Sequence, residues 1–388
     1  MNFNILSGKL EQICKKYEHR PEIIIKIDEY LSKQLPHALL LYMERINRKE
    51  ELEKNSELYI DKFLNNPEKQ YFYIHSSNIF IFYDGINYQI INEDEIWHTI
   101  LSDISSQKEL TPWKHKIKNS IIKKIKEQTI TQSIPESCTI QNVIQHLTPV
   151  LFKTKSEVKY FLTIIGDKIL KKQSTKIHFA RLESHEFLSF LQDHIQCILD
   201  KNCLLGQSIR YKYCNQDYKE CRILNFNESV KIKNCWDNFV KSNVLNLIAV
   251  STHYSNQFQN AETYISKCQN EEVNRTICYL SNTNSNFLIE LFTSSWFETS
   301  NNGEITWSEM YYLWKSFIRT ECDLPIMPIF MKNLKSQLAT KFNYKESTAS
   351  FTMIMSSKLL YVKTFHDFWN ATIESGDDEF EISEIWSL

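Results

Sequence analysis

Three groups of residues have the types and spacing to do chemistry, and each points to a different activity. His178, His185, His194, Cys197 and Cys203, followed by Cys214 and Cys221, include metal-binding side chains. None of their spacings matches the paired Cys or His pattern of a structural zinc site, so no metal is expected. Ser251-Thr252-His253-Tyr254 offers His253 as a base. No Gly-x-Ser-x-Gly elbow or cysteine-protease signature accompanies it, and a helix-capping role is the simpler reading. Asp167, Arg222 and His253 supply the acid, cation and base of a non-local pocket, which their convergence would have to create. Six scattered glycines build neither a G-x-x-x-x-G-K nor a G-x-G-x-x-G loop, which excludes a P-loop ATPase and calls for no nucleotide cofactor. The chain reads as non-enzymatic.

The charge pattern is more informative. Between Trp113 and Lys176 stand thirteen lysines against Glu127, Glu136, Glu157 and Asp167, an excess of nine in a chain whose formal net charge is −2. Such a concentration suits neutralisation of a phosphate backbone, with binding that weakens as salt rises. Only eight of the 45 basic residues are arginines. Lysine attracts phosphate as a point charge, whereas reading a base edge favours arginine, so the surface is fitted to attraction more than to sequence discrimination. The expected contacts are Lys116, Lys118, Lys123 and Lys126 on one helix, Lys159, Lys168, Lys171 and Lys172 on another, and Lys332 and Lys335 near the C-terminus.

These side chains need scaffolds. Trp113, Ile117, Ile121 and Ile125 form one stripe of a helix from Pro112 to about Gln128, with most lysines off the stripe. Val158, Phe161, Leu162, Ile165 and Ile169 do the same for a helix from Ser156, its expected N-cap. Gly166 inside it is read as tolerated, beside a solvated Asp167. Residues 70 to 91 are β-branched and aromatic runs separated by Ser76-Ser77-Asn78 and Asp84-Gly85, a three-stranded antiparallel meander. Short strands are expected at 177–180, 208–214, 221–226 and 276–280, and helices at 92–107, 183–200, 232–270 and 285–298. Pro36 is expected to break the helical N-terminus.

Near the C-terminus the pattern predicts helix 306–320, a Pro325/Pro328 turn, and helix 329–342 with Phe330, Leu334 and Leu338 inward and Lys332, Ser336 and Ala339 outward. Strands at 350–355 and 358–363, helix 365–373 and an acidic tail follow. Helix, turn, helix and two-stranded ribbon is the order of a winged helix. The fold class is α+β, predominantly helical, with small antiparallel β elements. Three domains are expected: a helical segment 1–68, a mixed central domain 69–300, and a winged-helix-like domain 301–388, the boundary falling at the Asn- and Ser-rich stretch Ser300–Gly303. No secretory leader or membrane-spanning run is visible, and ten cysteines then read as free thiols of an intracellular protein.

Several stretches resemble a protein family of unknown activity carried by giant nucleocytoplasmic large DNA viruses. They are Trp113-Lys114-x-Lys116-x-Lys118, Ile134-Pro135-Glu136-Ser137-Cys138-Thr139-Ile140-Gln141, and Lys159 to Asp167. Asp217-Tyr218-x-x-x-Cys221-Arg222, His253-Tyr254-Ser255 and Phe365-x-x-Phe368-Trp369 are similar too. The resemblance covers most of the chain beyond about residue 70 and carries over no catalytic residue. It implies a viral protein of the host cytoplasm or viral factory. A non-enzymatic, nucleic-acid-associated role in replication or gene expression, with DNA or RNA as partner, is the leading expectation. The alternative is a protein-interaction scaffold or adaptor in a viral transcription or translation complex.

Overall fold

Apolar periodicity builds most of this chain into helices. The computed structural model describes residues 3–106, 109–200 and 205–359, with Thr364, Phe368 and Ala371. The expected helix 365–373 and acidic tail lie essentially outside the described residues, as do residues 360–363 of the last expected strand. Its first residues, Lys358 and Leu359, belong to a 3-10 turn, Ser357–Leu359. The chain forms two compact units, one of residues 1–75, 79–84 and 90–128, the other of 76–78, 85–89 and 129–388.

The first unit begins with helices α1 (Phe3–Lys16), α2 (Pro21–Glu29) and α3 (Leu35–Leu64). Pro36 does not break the chain as expected. It sits in the first turn of α3, where a missing N–H costs nothing, and a π-helical turn at Tyr30–Gln34 joins α2 to α3. Strands β1 (Gln70–Ile74) and β2 (Ile79–Tyr83) pair antiparallel, with Phe72 opposite Ile81. β3 (Tyr88–Ile91) completes the sheet order β1-β2-β3. Helices α4 (Glu93–Ser106) and α5 (Lys114–Glu127) close the unit, its core formed by Tyr59, Tyr73, Ile96, Ile100, Ile117, Ile121 and Ile125 with their neighbours.

The second unit runs through α6 (Ser137–Leu147), α7 (Lys155–Ile169), β4 (Ile177–Ala180), α8 (His185–Leu199), β5 (Ile209–Arg210) and β6 (Cys221–Leu224). The N-cap of α7 is Thr154, not Ser156. Its hydroxyl accepts from Glu157 N at 3.2 Å, and the Glu157 carboxylate accepts from Thr154 N at 2.8 Å, a capping box. The expectation of antiparallel elements alone fails here. β4 lies between β5 and β6 and pairs parallel with both, His178 opposite Ile209 and Arg222. The reason is topological: α8 is the crossover that returns the chain to β5 in the direction of β4, and the segment 211–220 carries it across to β6 on the other side.

Residues 232–270, expected as one helical stretch, divide into α9 (Asp237–Phe258) and α10 (Ala261–Lys267). Between them Gln259 takes φ 72°, and the side chain of Asn260 accepts from Thr263 N to cap α10. The strand expected at 276–280 is instead the end of α11 (Glu271–Ile277) and a 3-10 turn; Asn270 caps α11 with its side chain, a local preference that outweighs β-branched content.

Next come α12 (Ser285–Trp296), β7 (Glu298–Thr306), α13 (Trp307–Thr320), α14 (Met331–Lys341), β8 (Asn343–Lys345) and β9 (Ser350–Met355). Their sheet is antiparallel in the order β7-β9-β8. Ser300–Gly303 is therefore not a linker but lies inside β7, where the register shifts between Thr299 and Glu304. Leu288, Phe292, Ile305, Leu313, Trp314, Phe317, Leu334, Leu338 and Phe351 share one core with Phe179 and Ile223 of the parallel sheet. Phe330, expected inside, is 43% exposed, because it precedes α14 as the N-cap and does not follow the helix's apolar stripe.

Candidate functional site

The lysine-faced helix α5 presents its charge largely through partners. Lys116 pairs with Glu53 at 3.5 Å and lies 3.9 Å from the Trp113 ring centre; Lys118 sits 3.8 Å over Trp97. Lys124 pairs with Asp61 at 3.2 Å, and Lys126 with Glu93 at 3.7 Å, beside Tyr73 and Phe80. Lys123 is exposed and has no ion pair among the described residues. Exposed pairs of this kind contribute about 0–1 kcal/mol each, so they stabilise little while offsetting much of the helix's field.

Two lysines of the second group, Lys168 and Lys172, line a pocket of about 510 Å³ in the second unit, with Asp167, Lys176, His178 and Glu262 among its other walls. α7 supplies Ile164, Asp167 and Lys168, α10 supplies Ala261 and Glu262, and the segment 172–176 forms another wall. Asp167 is buried, not solvated as the sequence suggested: one carboxylate oxygen accepts from Ser255 Oγ at 2.6 Å and the other from Ala261 N at 2.8 Å. Burial raises its pKa, and these donors with nearby Lys172 and Lys168 pull the other way. Gly166 makes this placement feasible. A Cβ there would stand 2.0 Å from the Ser251 carbonyl oxygen, so glycine is what allows α7 to lie so close to α9.

Lys172 is structural. Its ammonium donates to the carbonyls of Ser255 and Gln259, both at 2.7 Å, closing the C-terminal turn of α9, and stands 3.9 Å from Asp167. Lys176 pairs with Glu220 at 3.1 Å. Arg222 holds Glu262 with two hydrogen bonds, Nε to Oε1 at 3.0 Å and Nη2 to Oε2 at 2.5 Å. Lys168 makes no ion pair among the described residues, and Lys159 and Lys171 likewise make none; Lys171 ends α7 at φ 55°. Of the three residues expected to build a pocket, Asp167 lines it, Arg222 reaches it through Glu262, and His253 is not among its lining. Burial lowers the His253 pKa.

His178, weighed only as a metal ligand in the sequence, is the pocket residue with the least ordinary environment. It is buried at the centre of the parallel sheet, and its Nε2 lies 3.1 Å from the Tyr160 hydroxyl. Burial first, then Lys168 and Arg222, push its pKa down to about 3 against a hydrogen bond with the Ser208 backbone that pulls the other way, so the ring is neutral. Burial also holds Tyr160 well above the usual phenol range, so that hydroxyl keeps its proton. No group of His, Cys, Asp and Glu among the described residues could hold a metal ion, and no described helix is long and apolar enough to cross a membrane.

The third group sits on α14, which carries three lysines and no acidic residue. Leu334 and Leu338 are fully buried, while Lys332, Asn333, Ser336, Ala339 and Thr340 are exposed. Lys341 pairs with Glu290 at 3.6 Å, and Lys335 lies 4.8 Å from the Tyr344 ring centre and 5.7 Å from Trp307. No protein-family model, curated protein or solved structure matches the chain.

Proposed function

We propose that the chain is a nucleic-acid-associated protein whose C-terminal region is a winged-helix-like unit presenting α14 to the major groove of a duplex. The observation that carries this reading is the element order α12-β7-α13-α14-β8-β9 with sheet order β7-β9-β8. A winged helix has this arrangement: its first strand pairs with the second strand of the terminal hairpin, and the helix before that hairpin is the one that enters DNA. α14 occupies that place and exposes Lys332, Asn333 and Ser336, a cation and hydrogen-bonding side chains suited to phosphates and base edges. Lys123, Lys159 and Lys171 supply further unpaired charge on the rest of the chain. The work is binding and not catalysis, in replication or gene expression, the setting that the resemblance to giant-virus proteins implies.

Fluorescence anisotropy with a generic duplex and a single strand, each at low and higher salt, tests this. Saturable duplex binding that weakens with salt supports it; no binding to either at low salt sinks it. A second reading has its own observation. Leu39, Leu40, Leu41, Tyr42, Met43 and Ile46 of α3 are all exposed, a run of apolar surface that favours a protein partner. Stoichiometric co-purification that survives nuclease treatment, with no affinity for duplex, would select this scaffold role.

A further inference from the structure

Helices α1 to α3 bury almost nothing against their own chain. No described residue from Phe3 to Asn55 is buried, and the first that is, Ser56, lies in the last third of α3. Of the 26 large hydrophobics exposed among the described residues, thirteen fall within residues 3–46, Leu39 to Met43 in unbroken succession. A helix turns about 100° per residue, so five consecutive apolar side chains face every side of it. Apolar all round is the pattern of a helix inside a bundle. A helix as short as α1, with no buried residue, is marginal in water and needs a packed face.

The uncovered face carries the mark of its occupant. Leu31, Leu35, Ala38, Tyr42 and Ile46 recur every three or four residues, in line with Ser56 and Ile60, where α3 enters the core of its own unit. Lys49 and Glu53 interrupt the stripe, so its outer half is a surface of its own and not the frayed edge of that core. This spacing fits another helix. The stripe also matches itself. Turned end for end about Ala38 and Leu39, it sets Leu35 opposite Tyr42 and Leu31 opposite Ile46, as an isologous twofold contact requires.

Charge and area agree with a second copy. Residues 1–64 hold eleven basic and eleven acidic side chains, so two copies meet without net repulsion, while an anionic membrane finds no matching field. Exposed by 38–83%, the thirteen side chains offer roughly 1,300 Å² of apolar area in two copies, against the about 1,200–2,000 Å² of a stable interface.

We propose that α1 to α3 are a dimerisation module. The stripe of α3 packs antiparallel on that of a second copy, and the two α1 helices, whose Phe3, Leu6, Leu10 and Ile13 are exposed, close a four-helix bundle around Leu39–Met43. This names the occupant of the surface on which the scaffold reading rests, and it is independent of duplex binding by α14.

Sedimentation velocity of the full chain from about 1 to 50 μM tests the proposal. A closed dimer is expected, at twice the 46.2 kDa of one chain. Tyr42→Glu/Ile46→Glu should weaken it by at least about tenfold. Leu58→Glu, 61% exposed on the opposite side of α3, should leave it intact. Hydrogen exchange of the wild type gives a reading that needs no variant: the amides of residues 35–46 should slow as the chain dimerises. A monomer throughout, a mass that keeps rising with concentration, a dimer indifferent to Tyr42→Glu/Ile46→Glu, or exchange that ignores concentration would overturn it. A monomer that binds anionic vesicles or a different protein would overturn it as well, and in the second case the scaffold reading would stand without it.

Discussion

Gly166→Ala is the substitution from which the packing of the second unit can be judged most sharply. The added methyl carbon would stand 2.0 Å from Ser251 O, 2.6 Å from Ser251 C and 2.7 Å from Ser255 Cβ, where ordinary contact begins near 3.4 Å. The first two are helix backbone and cannot swing aside. Relief requires α7 and α9 to part by roughly 1 Å, and a gap of that size forfeits about a quarter to a half of each dispersion contact across it. The same movement pulls Asp167 from Ser255 and Ala261 N, leaving a buried carboxylate short of donors. Overpacking of this kind costs about 3 kcal/mol, which lowers Tm by roughly 6–12 °C in a unit of this size. Thermal unfolding followed by circular dichroism reads the shift. Gly8→Ala is the control, since a Cβ at Gly8 meets nothing within 4 Å and alanine favours the helix α1 around it. A Gly166→Ala protein that melts with the wild type would refute the close crossing.

Two further outcomes follow from buried titratable groups. His178 has its pKa depressed from 6.5 to about 3, so the unfolded chain takes up a proton that the folded one refuses; stability falls as pH drops through that window, by roughly 1.4 kcal/mol per unit. Urea unfolding at two pH values inside the window should give a shallower pH slope for His178→Gln than for the wild type, and equal slopes would contradict the burial of a neutral ring. Burial pushes the Cys221 thiol up to about 11 and raises that of Cys322, while Cys138, Cys197, Cys214 and Cys235 are exposed. Alkylation at neutral pH with mass-spectrometric mapping should therefore label those four and spare Cys221 and Cys322 until the chain is unfolded.

The helices were legible wherever one apolar stripe met one core. Ile117, Ile121 and Ile125 of α5, and Leu334 and Leu338 of α14, are buried as their spacing requires. What escaped depends on partners distant in the chain. Asp167 looked solvated because its two donors lie 88 and 94 residues away. The lysines of α5 looked unpaired because Glu53 and Asp61 stand 63 residues from Lys116 and Lys124. Parallel pairing of β4 is invisible in strands of two to four residues, since the connections through α8 and through 211–220, not the strands, set their direction. The setting of His178 rests on Tyr160, one helix earlier, and on burial inside the parallel sheet; the nearest signal in the sequence was a histidine in an apolar run, Ile177-His178-Phe179-Ala180.

The central claim is that α14 meets nucleic acid. It is tested most directly by the salt dependence of duplex binding in Lys332→Glu/Lys335→Glu beside Lys116→Glu/Lys118→Glu/Lys123→Glu/Lys126→Glu. The reading predicts that the α14 variant loses most of its affinity and lowers the slope of log K against log salt by about 1 for each phosphate contact removed. The α5 variant should lose less, since three of its four lysines are engaged with Glu53, Trp97 and Glu93. Wild-type affinity and slope in the α14 variant would contradict it.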